Sequence, residues 1–383
     1  MKIGITCQAS AGGSGIVATE LGIALAERGH EVHFVTSDPP FRLKGFHDNI
    51  YSHYVDIVSY PLFRIPPYSL ALATKISEIA EEHEIELWHA HYAIPNAAAA
   101  LFGRAMLAPE RRFALVTTLH GTDITLVGSD PSFFRITKFA IEGSCATTAV
   151  SNWLSEETQR EFQLDAPPRT IYNFIDPRKF NGQSFRRCQL AEGDEKIIMH
   201  MSNFRPVKRV TDVVRAFKRI AERVNARLVM VGEGPERMAA VGVAKQLGIS
   251  EKIRYLGSYE DIQMILPCAD LVFQPSEHES FGLVPLEAMA CRVPVLATAS
   301  GGIVEVVEHG VTGYLTEVGD IEAMAACAID LLTDPDKARA MGERGQERAL
   351  RLFDRDAIVS QYEALYAEVL RSRRECAAAV GGL

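Results

Sequence analysis

Long apolar stretches are missing from this chain of 383 residues, and no run approaches the roughly 18 residues that a membrane span needs. An ordered cysteine framework is missing too. The seven cysteines, Cys7, Cys145, Cys188, Cys268, Cys291, Cys327 and Cys376, are odd in number and scattered, without a C-x-x-C pair or a neighbouring metal-ligand histidine. That usage argues against disulfides and a zinc-finger site and for a reducing compartment. Positive charge is in deficit, with 40 Lys and Arg against 49 Asp and Glu for a net charge of −9. Nothing electrostatic therefore favours a polyanion, and nucleic acid is not an expected partner. Gly and Pro number 28 and 18, close to background, which excludes collagen and global low complexity. The opening Met1-Lys2-Ile3-Gly4-Ile5-Thr6 reads as a strand and not as a leader, so a cytoplasmic protein is expected. What is present is 47% hydrophobic and 23% charged residues, enough for a large core, in a length that suits two to three domains.

Short apolar runs alternate with helical periodicity along most of the chain, the pattern of parallel βα units. Ile3 to Cys7 reads as a strand; Val17, Leu21 and Leu25 mark one helical face, Gly29 ends that helix, and Val32 to Thr36 is the next strand. Leu87 to Ala90, Ala114 to Leu119 and Thr147 to Val150 continue the series. The pattern lapses at Pro167-Pro168 and from Asn173 to Arg187. It restarts at Ile197 to Met201, before a helix carrying Val210, Val213, Val214, Phe217 and Ile220. Leu228 to Val231, Ile253 to Leu256, Leu271 to Gln274 and Val293 to Ala297 complete a second series. We expect an α/β protein of two doubly wound parallel-sheet domains meeting across a cleft, with ligands bound outside the carboxyl ends of the strands.

Four segments at such strand ends carry chemistry. In Ser10-Ala11-Gly12-Gly13-Ser14-Gly15 the glycines permit positive φ and close backbone approach, and the helix behind offers N–H groups to an anion. Gly13-x-Gly15-x-x-Ala18 with Asp38 also fits a loosened dinucleotide fingerprint, and a glycine loop that merely joins strand to helix is the plainer alternative. In Ser202-Asn203-Phe204-Arg205-Pro206-Val207-Lys208-Arg209, Arg205 and Lys208 lie three apart at an expected helix start. There they could converge on one diphosphate, or be a solvated basic turn.

In Glu279-Ser280-Phe281-Gly282-Leu283-Val284-Pro285-Leu286-Glu287, two carboxylates can accept bonds from the vicinal hydroxyls of a sugar and a ribose, with amides between them facing phosphate. Glu287, beside Leu286 and near Met289, could equally be a surface residue. The fourth segment, His120-Gly121-Thr122-Asp123, puts a histidine at a strand end, where it can reach a ligand or be a satisfied interior group. Gly232-Glu233-Gly234-Pro235-Glu236 closes another strand and reads first as a turn, with Pro235 a good first helical residue.

These segments, in this order across two such domains, resemble the retaining nucleotide-sugar glycosyltransferases of the GT-B fold, family 4, along essentially the whole chain. The resemblance implies domains at 1–172 and 173–355, the first binding the acceptor and the second the nucleotide sugar. A last helix, 356–383, would return to the first domain with Ile358, Tyr362, Leu365, Tyr366 and Val369 on one face. It implies catalytic roles for His120, Arg205, Lys208 and Glu279. The donor would lie against Gly13, Ser14, Gly15, Asn203, Arg205, Lys208, Gly232, Ser258, Glu279, Phe281, Gly282, Leu283 and Glu287.

Within the family, the opening Gly-Ile-Thr-Cys, His-Gly-Thr-Asp-Ile-Thr, Ile171 to Asp176 and Ser202 to Arg209 are most similar to members that join N-acetylglucosamine from UDP-GlcNAc to L-malate in bacillithiol biosynthesis. The acceptor site would then draw on Ser14, Tyr92, Thr118, Arg135, Lys138 and Asn152, with Lys138 ranked first among the cations. Arg292 departs from the glycine that the resemblance leads one to expect there. Asp334-Pro335-Asp336 and Asp354-Arg355-Asp356 match a D-x-D string but sit at late helix starts, so no metal and no further cofactor is expected. A nicotinamide oxidoreductase would explain Gly13, Gly15 and Asp38 while leaving Arg205, Lys208 and the glutamate pair without a role. A nucleotide-sugar sensor would keep the donor site and lack turnover. The oligomeric state is not legible, and a homodimer stays open.

Overall fold

The computed structural model describes residues 1–8, 12–57, 66–182 and 190–381, with side chains to residue 373. Ser10, Ala11, Cys188 and the last two residues of the chain lie outside that description. The chain divides into two compact units, Met1–Tyr172 with Asp356–Leu383, and Asn173–Arg355.

In the first unit strands and helices run β1 (Lys2–Thr6), α1 (Gly13–Glu27), β2 (Glu31–Thr36), β3 (Ile50–Tyr54), α2 (Tyr68–Glu82), β4 (Leu87–His91), α3 (Ala98–Met106), β5 (Ala114–Leu119), α4 (Phe134–Glu142), β6 (Ala146–Ala149), α5 (Asn152–Phe162) and β7 (Arg169–Thr170). The sheet order is β3-β2-β1-β4-β5-β6-β7, every pair parallel. A parallel sheet covered on both faces buries successive residues, and Ile3, Ile5, Val32, Phe34, Leu87, Trp88, Leu115 and Val116 are all fully buried. The edge strands β3 and β7 have no counterpart in the sequence reading. Ile50–Tyr54 is half exposed and β7 is two residues long, so neither carries the continuous apolar run that marks the inner strands.

The second unit runs β8 (Lys196–Met201), α6 (Val210–Ala221), β9 (Ala226–Val231), α7 (Arg237–Gln246), β10 (Ile253–Gly257), α8 (Ile262–Ile265), β11 (Leu271–Gln274), α9 (Leu283–Ala290), β12 (Val295–Thr298), α10 (Ile303–Val306), β13 (Gly313–Thr316), α11 (Ile321–Thr333) and α12 (Pro335–Leu352). Its sheet is again parallel, in the order β10-β9-β8-β11-β12-β13. The i, i+3, i+4 spacing of α6 is realised: Val210, Val213, Val214, Phe217 and Ile220 are at most 1% exposed, each worth roughly 1.5–3 kcal/mol of apolar burial. Asp334 accepts from the amide of Lys337 at 3.0 Å and so caps α12. Pro235 falls in the turn before α7 and does not open the helix.

The last helix, α13 (Arg355–Gly381), packs on the first unit. Ile358, Tyr362, Leu365, Tyr366 and Val369 are buried along one face; the Tyr366 hydroxyl lies 2.7 Å from His89 Nδ1, and Arg28 pairs with Glu363 at 2.6 Å. Just before it, Ile175 and Asp354 form a parallel bridge, closed by Ile175 N donating to Phe353 O at 2.9 Å. Arg292, after α9, adopts left-handed backbone (φ +61°), where glycine is the unstrained residue. Its exposed side chain donates from Nε to Gln346 at 2.7 Å, so the departure from glycine is a local strain beyond the strand ends.

Candidate active site

Each sheet reverses its strand order once, between β1 and β4 in the first unit and between β8 and β11 in the second. Connections on either side of such a point turn opposite ways, which opens a crevice at the carboxyl ends of the two strands. The segments singled out in the sequence follow these four strands or their neighbours.

In the second unit, the β8 end leads through Ser202, whose Oγ lies 2.9 Å from His200 Nε2 and accepts from the Phe204 amide at 3.2 Å. Arg205 and Lys208 do not start α6. Arg205 precedes a 3₁₀ turn, Pro206–Lys208, which Lys208 ends, and Arg209 at φ +49° separates it from the helix. Lys208 Nζ reaches Glu279 Oε2 at 2.6 Å, both about one-fifth exposed. The structure thus brings these two residues together, whereas the exposed Arg205 makes no ion pair among the described residues. Arg209, not singled out from the sequence, pairs with Asp212 at 2.6 Å and approaches Glu277 at 3.9 Å.

The loop carrying Glu279 is held from two sides. Glu277 N donates to Val207 O at 2.8 Å, tying it to the loop after β8. From the end of β12 and the loop after it, Thr298 and Ser300 hydroxyls donate to the carbonyls of Ser276 and Glu277, and Gly302 N donates to Glu279 O at 2.7 Å. Gly301 permits this approach: its φ is +65°, and a Cβ there would stand 2.2 Å from Glu279 O. This strap escaped the sequence reading, although a Gly-Gly pair directly after a strand was a usable signal.

Gly282 (φ +102°) begins α9, and Glu287 on that helix is only 2% exposed, so it is not the surface residue its position in a helix suggested. Phe281 is also buried, its ring edge-on to Phe353 at 5.4 Å; only its backbone remains as a ligand group. Leu283 is half-buried, and Asn203 and Ser258 are exposed. Gly232 (φ +121°) packs so closely under the β8 end that a Cβ would sit 1.8 Å from Ser202 O, while its N–H donates to Gly257 O at 2.7 Å.

In the first unit, Gly13, Ser14 and Gly15 form the first turn of α1 and not a loop before it, and neither glycine uses positive φ. As the first turn of α1, these residues carry N–H groups that find no partner within the helix, the property an anion needs. His120, after β5, lies with Nε2 2.9 Å from His91 Nδ1 and its ring 5.4 Å from Tyr92, edge-on. Asp123 ties β4 to β5: it accepts from the amides of His120 (3.2 Å), Gly121 (3.0 Å) and Ala93 (3.0 Å). Tyr92 itself takes φ +86°, and its amide donates to Thr118 O at 2.9 Å.

Thr118 needs correction as an acceptor ligand. Its side chain is fully buried within hydrogen-bonding distance of His89 Nε2 and Thr148 Oγ1, both at 2.7 Å, because it points into the sheet's face and not off its end. The Asn152 amide donates to the Tyr172 hydroxyl at 2.7 Å. Arg135 is exposed on α4, and Lys138 stands 3.6 Å from Glu142 one turn on.

Burial pushes the His89 and His120 pKa values down to about 3 and that of His91 well below its ordinary value. His120 is therefore neutral at pH 7 and offers a ligand one N–H or one lone pair. Depressed histidines contribute stability that is complete above about pH 6.5 and is lost as pH falls toward 3. Asp123, raised by burial to about 6, acts with the opposite sign as it takes up a proton, but it is one group against three. The melting temperature should drop by at least about 4 °C between pH 7.5 and pH 5; a flat profile in calorimetry would show that these imidazoles are not held neutral.

Comparisons with known proteins agree with this architecture. The model of Glycosyltransferase Family 4 matches residues 11–179, and that of Glycosyl transferases group 1 matches residues 183–348. The chain belongs to the family-4 glycosyltransferases. It is 48% identical over 374 residues to N-acetyl-alpha-D-glucosaminyl L-malate synthase of Bacillus anthracis, covering 97% of this chain and 98% of that relative. Sucrose-phosphate synthase from Thermosynechococcus elongatus superposes with a TM-score of 0.80 at 24% identity, over 97% of this chain and all of that one. Anabaena Alr3699/HepE, solved with UDP and glucose, gives 0.77 at 23% identity over 96% and 99%. These likenesses establish the GT-B fold. The protein is a glycosyltransferase, and among the described residues no helix is long and apolar enough to cross a membrane.

Proposed function

We propose that this glycosyltransferase moves N-acetylglucosamine from UDP-GlcNAc to the hydroxyl of L-malate, retaining the α configuration, as a cytoplasmic step of bacillithiol biosynthesis. The observation that carries the substrate pair is the 48% identity, running end to end, with a relative named for that product. In the reaction the anomeric C–O bond to the diphosphate breaks, and the malate oxygen bonds to the same face of the sugar. The malate proton passes to a departing phosphate oxygen, leaving GlcNAc-malate and UDP.

Arg205, Lys208 and the backbone amides around Gly282 and Leu283 stabilise the charge that develops on UDP. Glu279 and Glu287 accept bonds from sugar and ribose hydroxyls, beside Asn203, Gly232 and Ser258. Lys208 exchanges its Glu279 partner for phosphate when the donor arrives, which frees the carboxylate for the sugar. In the first unit, the α1 start at Gly13, Ser14 and Gly15, with Tyr92, His120 and Asn152, supplies neutral donors. Nothing in this scheme calls on a divalent cation.

The test is mass spectrometry of products from UDP-GlcNAc with a panel of hydroxy acids and sugars, with and without EDTA. A GlcNAc-malate adduct formed equally in both supports the reading. No adduct with malate would overturn the acceptor, and turnover lost in EDTA and restored by Mg²⁺ would overturn the metal-free scheme.

Lys138 carries the acceptor prediction. Among the described residues it pairs with the exposed Glu142, a surface contact worth little, so it can turn to a malate carboxylate. Lys138→Ala should raise the KM for malate at least tenfold while leaving that for UDP-GlcNAc nearly unchanged. Equal malate KM values in mutant and parent would remove Lys138 from the site.

A further inference from the structure

Three histidines far apart in sequence meet at the β3 edge of the first sheet. His33 comes from β2, His53 from β3, and His83 is the residue that ends α2. One ring nitrogen from each lies within 4.8 Å of the others. His33 is fully buried while the other two are partly exposed. The rings pack together, with centroids 4.4 Å apart for His33 and His83, 5.2 Å for His33 and His53, and 5.3 Å for His53 and His83. The proposed reaction makes no use of them. The strand that leads to His120, β5, is three strands away from β2, roughly 14 Å at ordinary strand spacing.

We propose that His33, His53 and His83 bind one divalent transition-metal ion of the zinc type. Imidazole suits zinc, cobalt, nickel and copper over magnesium or calcium. Two nitrogens of a tetrahedral shell with Zn–N near 2.1 Å stand about 3.4 Å apart. His33 Nδ1 and His53 Nε2 are already 3.0 Å apart, so the metal replaces an N···N hydrogen bond at nearly the same spacing. His83, at a helix end with its side chain 29% exposed, has the freedom to close the remaining distance.

A second feature points the same way. The other nitrogen of His33, Nε2, lies 3.0 Å from Glu31 Oε1. A ligating histidine typically gives its second N–H to a carboxylate, which fixes the tautomer and leaves the first nitrogen's lone pair for the metal. With Nε2–H on Glu31, His33 presents Nδ1; His53 shifts its proton to Nδ1 and presents Nε2. Three protein ligands then leave a fourth position for water, and the metal fastens the edge strand β3 to β2 and α2.

The test uses the full-length protein stripped with a chelator and then titrated with Co²⁺ and Zn²⁺. One equivalent of Co²⁺ should give d–d absorption without a thiolate charge-transfer band, and one equivalent of Zn²⁺ should raise the melting temperature. His53→Ala and His83→Ala, both at partly exposed positions, should weaken Zn²⁺ binding at least tenfold and abolish that rise, while Cys145→Ser binds as the parent does. The metal-free melting temperature of each variant reports whether it is folded. Zn²⁺ binding unchanged in both histidine variants, or no saturable binding to the parent below about 100 μM, would reduce the cluster to a hydrogen-bonded ring stack and overturn the proposal.

Discussion

Lys208→Ala lowers kcat by about a hundredfold, the size of effect seen when one fixed donor to a developing anion is deleted. The side chain belongs to no apolar face, and its ion pair with Glu279 is partly exposed on both sides, so the fold loses little when it goes. The loss has two parts. The leaving diphosphate loses a cation, and Glu279 loses the partner that holds its carboxylate in place before the donor binds. Arg205→Ala, which disturbs no ion pair among the described residues, should show the first part alone. Steady-state kinetics with circular dichroism as the control checks both; unchanged turnover in a folded Lys208→Ala protein would refute the diphosphate role.

Gly301→Ala should cost as much, without touching a single side chain proposed to meet the substrate. A Cβ at that position would stand 2.2 Å from the Glu279 carbonyl and on left-handed backbone, so either the loop after β11 or the loop after β12 must shift. The Gly302 N–H to Glu279 O bond shifts with it. Displacement of a reacting group by about 1 Å is enough for a hundredfold loss of rate. The expected signature is a large fall in kcat with the secondary structure preserved, and donor affinity measured by UDP titration should weaken too. If Gly301→Ala turns over like the parent, the loop after β12 is not what positions Glu279.

The parts of the site that were legible in the sequence are those written locally. Glu279 and Glu287 stand eight apart in one loop and helix, and the βα alternation announces the strands on either side, so the placing of that loop and helix after β11 could be read. The Lys208 to Glu279 ion pair could not, because 71 residues and the sheet order separate its members. The same holds for the strap through Gly301, whose meaning is a close approach between two backbones. Glu287 misled because helical position alone says nothing of what covers a face. Thr118 misled because a residue one step short of a strand end still points into the sheet's packing. The edge strand β3 was missed because half-exposed residues carry no apolar run, and with it went the meeting of His33, His53 and His83.

The bridge between Ile175 and Asp354 has a consequence for the order in which this protein is made. The chain leaves the first unit after Tyr172 and re-enters it at Asp356, so a whole domain is interposed within another. On the ribosome, His89 and Thr118 emerge early, but the Tyr366 and Tyr362 hydroxyls that meet them belong to α13, 244 residues or more later in the chain. The domain born first is finished last. Until then it lacks the helix whose face buries Ile358, Leu365 and Val369, while the interposed domain, which has all its own strands and helices, is free to fold first. A nascent chain stalled before α13 therefore leaves the first unit without the partners that Tyr366 and Tyr362 give to His89 and Thr118.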